Sequence, residues 1–126
     1  MPDRPLILLV DDEEDIRELY STKLRSEGLN VVTAVNGKEC LEIAKRDHPD
    51  LILLDLKMPE MDGAEALTHL KEDPETRDIK VVFLTAMSDP RGPAIDSKYA
   101  IEVGATDYIK KGGGLREFAE QIRGYL

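Results

Sequence analysis

Only one cysteine, Cys40, occurs in the 126 residues, so no disulfide can close within the chain and a reducing compartment is the natural expectation. None is needed: a domain of this length buries roughly two-thirds of the surface its unfolded chain exposes. Long apolar runs are missing as well. The early run Leu6–Val10 falls far short of the ~20 residues that span a bilayer. No basic leader followed by a long apolar stretch precedes it, so neither a signal peptide nor a membrane span is expected, and the expected location is the cytoplasm. A surplus of base is also missing. Asp plus Glu number 26 against 17 Lys plus Arg, for a net charge of −9. Nucleic-acid binders draw much of their affinity from phosphate neutralisation, so direct nucleic-acid binding by this domain is not expected, nor is an anionic membrane partner. Internal repeats, linkers and low-complexity stretches are absent too.

What is present is a globular balance, 41% hydrophobic and 34% charged, in a length that suits one domain over 1–126. The acid is concentrated in the first half, where Asp11, Asp12, Glu13, Glu14 and Asp15 stand in an unbroken run. Short apolar runs alternate with longer amphipathic stretches. Strands are expected at 6–10, 31–35, 51–54, 79–84 and 107–109, the first and third without polar alternation, as in strands buried on both faces. Helices are expected at 15–26, 38–46, 64–71, 95–103 and 115–126, with loops over 55–63 and 88–93 marked by Pro and Gly. Gly28 and Gly104 read as helix terminators. Strict alternation of strand and helix implies an α/β fold with a parallel sheet covered on both faces. The flavodoxin-like, doubly wound (βα)5 order 2-1-3-4-5 is one of its two common topologies.

In such a sheet the binding crevice lies beyond the carboxyl ends of the strands. The residues expected there are Asp11 and Asp12 after the first strand, Asp55 after the third, Thr85 after the fourth, and Lys110 and Lys111 after the fifth. Clustered carboxylates suit a hard cation such as Mg²⁺, which takes oxygen ligands and few carboxylates. An Asp carboxylate can also act as a nucleophile and form an acyl phosphate, with a lysine nearby to neutralise phosphoryl charge. Taken singly, each has a plainer reading. Asp11 and Asp12 could cap the following helix, Glu13, Glu14 and Asp15 are first-turn acids on a solvated face, and the lysines are surface charge. His48 and His69 lack metal-ligand spacing and read as surface residues. Met58 and Met61 read as packing, and Cys40 as a small core residue.

Four segments in order resolve the ambiguity: Leu9-Val10-Asp11-Asp12-Glu13; Asp55-Leu56-Lys57-Met58-Pro59-Glu60-Met61-Asp62-Gly63; Leu84-Thr85-Ala86; and Gly104-Ala105-Thr106-Asp107-Tyr108-Ile109-Lys110-Lys111. With them the chain resembles, over essentially its whole length, the receiver domain of two-component response regulators. The resemblance implies a phosphorylation-activated switch rather than an enzyme acting on other molecules. Asp55 would be the phosphoacceptor. Mg²⁺ (or Mn²⁺) would be held by Asp12 directly, by Asp11 partly through water, by Asp55 and by the backbone carbonyl of Lys57. Thr85 would be the switch hydroxyl with the Ala86 amide beside it, and Tyr108 the aromatic that changes rotamer. Counting from Gly104 through Tyr108 places the active-site lysine at Lys111, and strand alternation points Lys110 the other way.

The implied partners are a histidine kinase or histidine phosphotransfer protein, and downstream either a target protein or an output domain elsewhere in a longer protein. The chain is expected as a monomer or a phosphorylation-dependent dimer. Two departures stand out. Gly112-Gly113-Gly114 follows Lys111 where the family usually has proline. The stretch from Thr85 to Gly104 is longer than the family pattern, with the excess in 87–96, and is expected to remodel the start of the fourth helix. Lys57 and Met87 flank the pocket and offer no carboxylate or amide to position an attacking water, so slow intrinsic dephosphorylation is expected. Two other functions compete: an interaction module working without phosphorylation, and a Mg²⁺-dependent hydrolase of the haloacid dehalogenase kind with an Asp nucleophile. The latter carries a second acid two residues after the nucleophile, where this chain has Lys57.

Overall fold

The computed structural model describes residues 4–58, 60–85 and 104–126. Ala86, Met87, the loop expected over 88–93 and the helix expected over 95–103 lie outside them.

The described chain runs β1 (Leu6–Val10), α1 (Glu14–Ser26), β2 (Asn30–Ala34), α2 (Gly37–Asp47), β3 (Leu51–Asp55), α3 (Gly63–Glu72), β4 (Lys80–Thr85), β5 (Asp107–Lys110) and α4 (Leu115–Tyr125). All pairings are parallel and the strand order is β2-β1-β3-β4-β5, the flavodoxin-like one of the two common topologies.

β3, apolar up to its final Asp55, lies between β1 and β4 and is buried from end to end. Period-two alternation divides the strand side chains between two cores. Leu8, Ile52, Leu54 and Phe83 face α2 and α3, packing with Cys40, Ala44, Leu67 and Leu70. Ile7, Leu9, Leu53, Val82 and Leu84 face α1 and α4, packing with Tyr20, Leu24, Phe118 and Ile122. Local chemistry starts two of the helices. Asn36 accepts from the Glu39 amide at the start of α2, and Asp62 accepts from the Glu65 amide at the start of α3. The N-cap positions of α1 and α4, Glu13 and Gly114, make no such side-chain bond. No described helix is long and apolar enough to cross a membrane.

One placement differs from the sequence expectation. Asp55 and Thr85 are the last residues of β3 and β4 rather than the first residues beyond them. The ladder carries on through both, pairing Asp55 with Leu84 and Thr85 with Lys110. Sheet hydrogen bonding therefore holds the backbone of both residues in place.

Candidate functional site

The carboxyl ends of β1, β3, β4 and β5 meet at one rim. Asp11 follows β1 directly, and its amide still donates to the Ala34 carbonyl of β2 at 3.1 Å. Its side chain is wholly buried, that of Asp55 nearly so, and Asp12 is exposed. Carboxylate oxygens of these three residues lie within 4.8 Å of one another. Asp11 Oδ1 accepts the Glu13 amide at 2.9 Å, and the Asp11 carbonyl accepts from Arg17 at 2.8 Å. The local capping reading of Asp11 thus covers only one of its oxygens.

Lys111 sits one residue beyond β5, and its amide donates to the Thr85 carbonyl at 2.7 Å. That bond prolongs the ladder and keeps the alternation, so Lys111 turns inward while Lys110 is exposed. The Lys111 ammonium lies 2.6 Å from Asp11 Oδ2 and 3.1 Å from Asp55 Oδ1. Asp55 Oδ1 also receives the Lys57 amide at 3.4 Å.

The charge balance is incomplete. Burial and then the neighbouring Asp11 push the Asp55 carboxyl up to about 7, although Lys111 and the Lys57 amide pull the other way. Burial opposes the Lys111 charge, but Asp11 and Asp55 outweigh it and hold its pKa above the ordinary value. Asp11 Oδ2 accepts no well-aligned hydrogen bond despite the nearby ammonium. Three clustered carboxylates, two of them buried and sharing a single ammonium, fit a hard divalent cation.

The sequence model of the family described as "Response regulator receiver domain" matches residues 7–123. The chain belongs to that family.

Receiver domains act in two-component signalling with histidine kinases and output domains, and generally bind Mg²⁺ at an acidic pocket. This receiver domain is 39% identical over 120 residues to a Porphyridium aerugineum protein named "Probable transcriptional regulator ycf27", covering 95% of this chain and 47% of that protein. It is 47% identical over 105 residues to "Response regulator PleD" of Caulobacter vibrioides, covering 83% of this chain and 22% of that protein. The chain therefore spans half or less of the length of these curated relatives.

Among solved structures, the Vibrio cholerae chemotaxis protein CheY4 superposes with a TM-score of 0.86 at 27% identity, covering 98% of this chain and 100% of that one. The receiver domain of a signal transduction histidine kinase from Syntrophus aciditrophicus gives 0.83 at 34% identity, covering 97% and 89%. The N-terminal domain of a Methanoculleus marisnigri response regulator receiver protein gives 0.76 at 40% identity, covering 96% and 95%.

Of the residues singled out in the sequence, Asp11, Asp12, Asp55 and Lys111 come together, with Thr85 buried beside them on β4. Tyr108 is half-buried on β5 and packs against the core under α2 and α3. Lys57 is exposed, and Ala86 lies outside the described residues. His48 and His69 are exposed, Met58 is buried, and Met61 packs against the same core as Tyr108. Cys40 is fully buried, and burial pushes its thiol up to about 12, as an inert core residue requires.

One residue was missed. The Tyr20 hydroxyl reaches the edge of the site and accepts the Gly112 amide at 3.3 Å. From the sequence Tyr20 is simply part of the apolar stripe of a helix. The only signal was a hydroxyl on that stripe, and its partner lies 92 residues away.

Proposed function

We propose that Asp55 accepts a phosphoryl group from the phosphohistidine of a histidine kinase or phosphotransfer protein, or from a small phosphodonor. The observation carrying this reading is the nearly buried Asp55 carboxylate, bridged to Asp11 by one ammonium and flanked by Asp12. An Asp55 oxygen attacks phosphorus, the new O–P bond forms, and the bond to the donor's leaving atom breaks. Asp12, Asp11, Asp55 and the Lys57 carbonyl would hold Mg²⁺ (or Mn²⁺). When bound, the ion supplies positive charge against the phosphoryl oxygens.

Lys111, 3.1 Å from Asp55, would neutralise the same oxygens, and the sheet pairing of the Asp55 backbone supports its role as a positioned nucleophile. The product adds about −1.5 to −2 charge and three acceptor oxygens. The Thr85 hydroxyl and the Ala86 amide bond those oxygens, and Tyr108 turns into the space that Thr85 leaves. The face built from β5, α4 and the helix expected over 95–103 changes with it, biasing a two-state equilibrium read by a target protein or an output domain. In this reading 1–126 is one cytoplasmic receiver domain, acting on no substrate but itself, as a monomer or a phosphorylation-dependent dimer.

Intact mass after incubation with acetyl phosphate and Mg²⁺ tests this. The wild type should gain one phosphoryl group, while Asp55→Asn and the metal-free protein should gain none. No gain by the wild type would leave an interaction module that works without phosphorylation. Free phosphate released catalytically from a phosphate ester would instead favour a hydrolase.

A further inference from the structure

Lys111 must hold its ammonium against two carboxylates at once, yet it is followed by Gly112, Gly113 and Gly114. Three successive glycines leave a backbone with little conformational preference of its own. Gly112 takes φ +88°, in the left-handed region, and α4 then starts from Gly114 with no side-chain cap. On its N-terminal side Lys111 is tied by its amide to the Thr85 carbonyl. On its C-terminal side, the next amide in the chain donates to the Tyr20 hydroxyl. Tyr20 is itself well anchored. It is 3% exposed on α1, and its ring stacks on Phe118 of α4 at 4.3 Å with planes 19° apart. A phenol in that setting needs a partner for its oxygen, and the Gly112 amide supplies one.

On the reading of Asp55 as phosphoacceptor, we propose that Tyr20 is a positioning residue for Lys111: its hydroxyl clamps the glycine loop beside the lysine and aims the ammonium at Asp55. The stacked pair Tyr20–Phe118 makes α1 and α4 the rigid support of that clamp. A loop of this composition would otherwise let the lysine sample other directions. The ammonium would then be in place for only part of the time when a phosphoryl group arrives. Tyr20 touches neither the phosphoryl group nor the cation.

Tyr20→Phe tests the clamp, because it keeps the ring and its stack and deletes only the oxygen. Phosphorylation by acetyl phosphate with saturating Mg²⁺, followed by intact mass, should slow about three- to tenfold, the weight of one hydrogen bond. The same substitution in a Lys111→Met background should slow the reaction no further, since the ammonium being positioned is gone. In ¹⁵N-labelled protein the Gly112 amide should shift and exchange faster with solvent, while the amides of β1 and β3 stay as they were. An equal slowing in both backgrounds, or an unchanged rate, would overturn the proposal. So would a Gly112 amide indifferent to the substitution. If the wild type takes no phosphoryl group, the reading of Asp55 fails. The tie between Tyr20 and the loop is then judged by the Gly112 amide alone.

Discussion

Asp55 is placed where its charge is costly. Burial and Asp11 favour the protonated form, and one lysine shared with Asp11 offsets only part of that. The folded carboxyl is raised from 3.8 to about 7, so the folded state holds its proton more tightly than the unfolded chain does. The stability linked to that proton is full below the unfolded value and is lost as pH rises toward 7. Without metal, Asp55→Asn should therefore melt above the wild type at pH 7, and its advantage should shrink as pH falls toward 4, where Asp55 is protonated. Thermal unfolding of the two proteins across that range measures it. Saturating Mg²⁺ should stabilise the wild type more than the variant and narrow the gap at pH 7. A gap independent of both pH and Mg²⁺ would contradict this electrostatic account. On the same pocket edge, Lys57 has neither carboxylate nor amide to orient a water. The acyl phosphate should therefore outlast a few seconds, and loss of phosphoryl mass over time after removal of the donor will show whether it does.

Gly63 opens α3 directly beneath the site. A Cβ there would run into the Asp55 carbonyl oxygen and the Leu56 Cα, both backbone atoms held by the sheet. Gly63→Ala should cost about 1–3 kcal/mol in urea denaturation and slow phosphorylation as well, because the strain falls on the backbone of Asp55. Asn36→Ala is a contrast. It removes the cap of α2, which should cost about 1 kcal/mol while leaving the phosphorylation rate unchanged. The helices and strands of the described residues were legible in the sequence, each to within a residue of where it lies. Their signals are local: period two in the strands, period 3.6 in the helices, and Gly or Pro at the breaks. The reach of Asp55 and Thr85 into their strands was not legible. A polar residue at the end of an apolar run looks like the start of a loop, and only the neighbouring strand shows that the ladder continues.

The sheet separates two cores, and β3 carries both. Leu53 is wholly buried toward α1 and α4, so Leu53→Ala should cost about 2–5 kcal/mol by urea denaturation, more than any surface change at the rim. Much of the present molecule follows from residue order alone. The alternation of runs dictates a doubly wound parallel sheet. The sheet in turn dictates that Asp11, Asp12, Asp55, Thr85 and a lysine gather at one edge, because parallel strands bring every carboxyl end to the same side. The ordered motifs single out Lys111 over Lys110. Contacts between distant segments carry no local signature and had to wait for the folded chain. Folding buried Asp11 completely, set one ammonium between two carboxylates, and brought the Tyr20 hydroxyl to the Gly112 amide. Periodicity records which face of a segment is apolar, whereas strand register and helix packing choose which polar atoms from different segments finally touch.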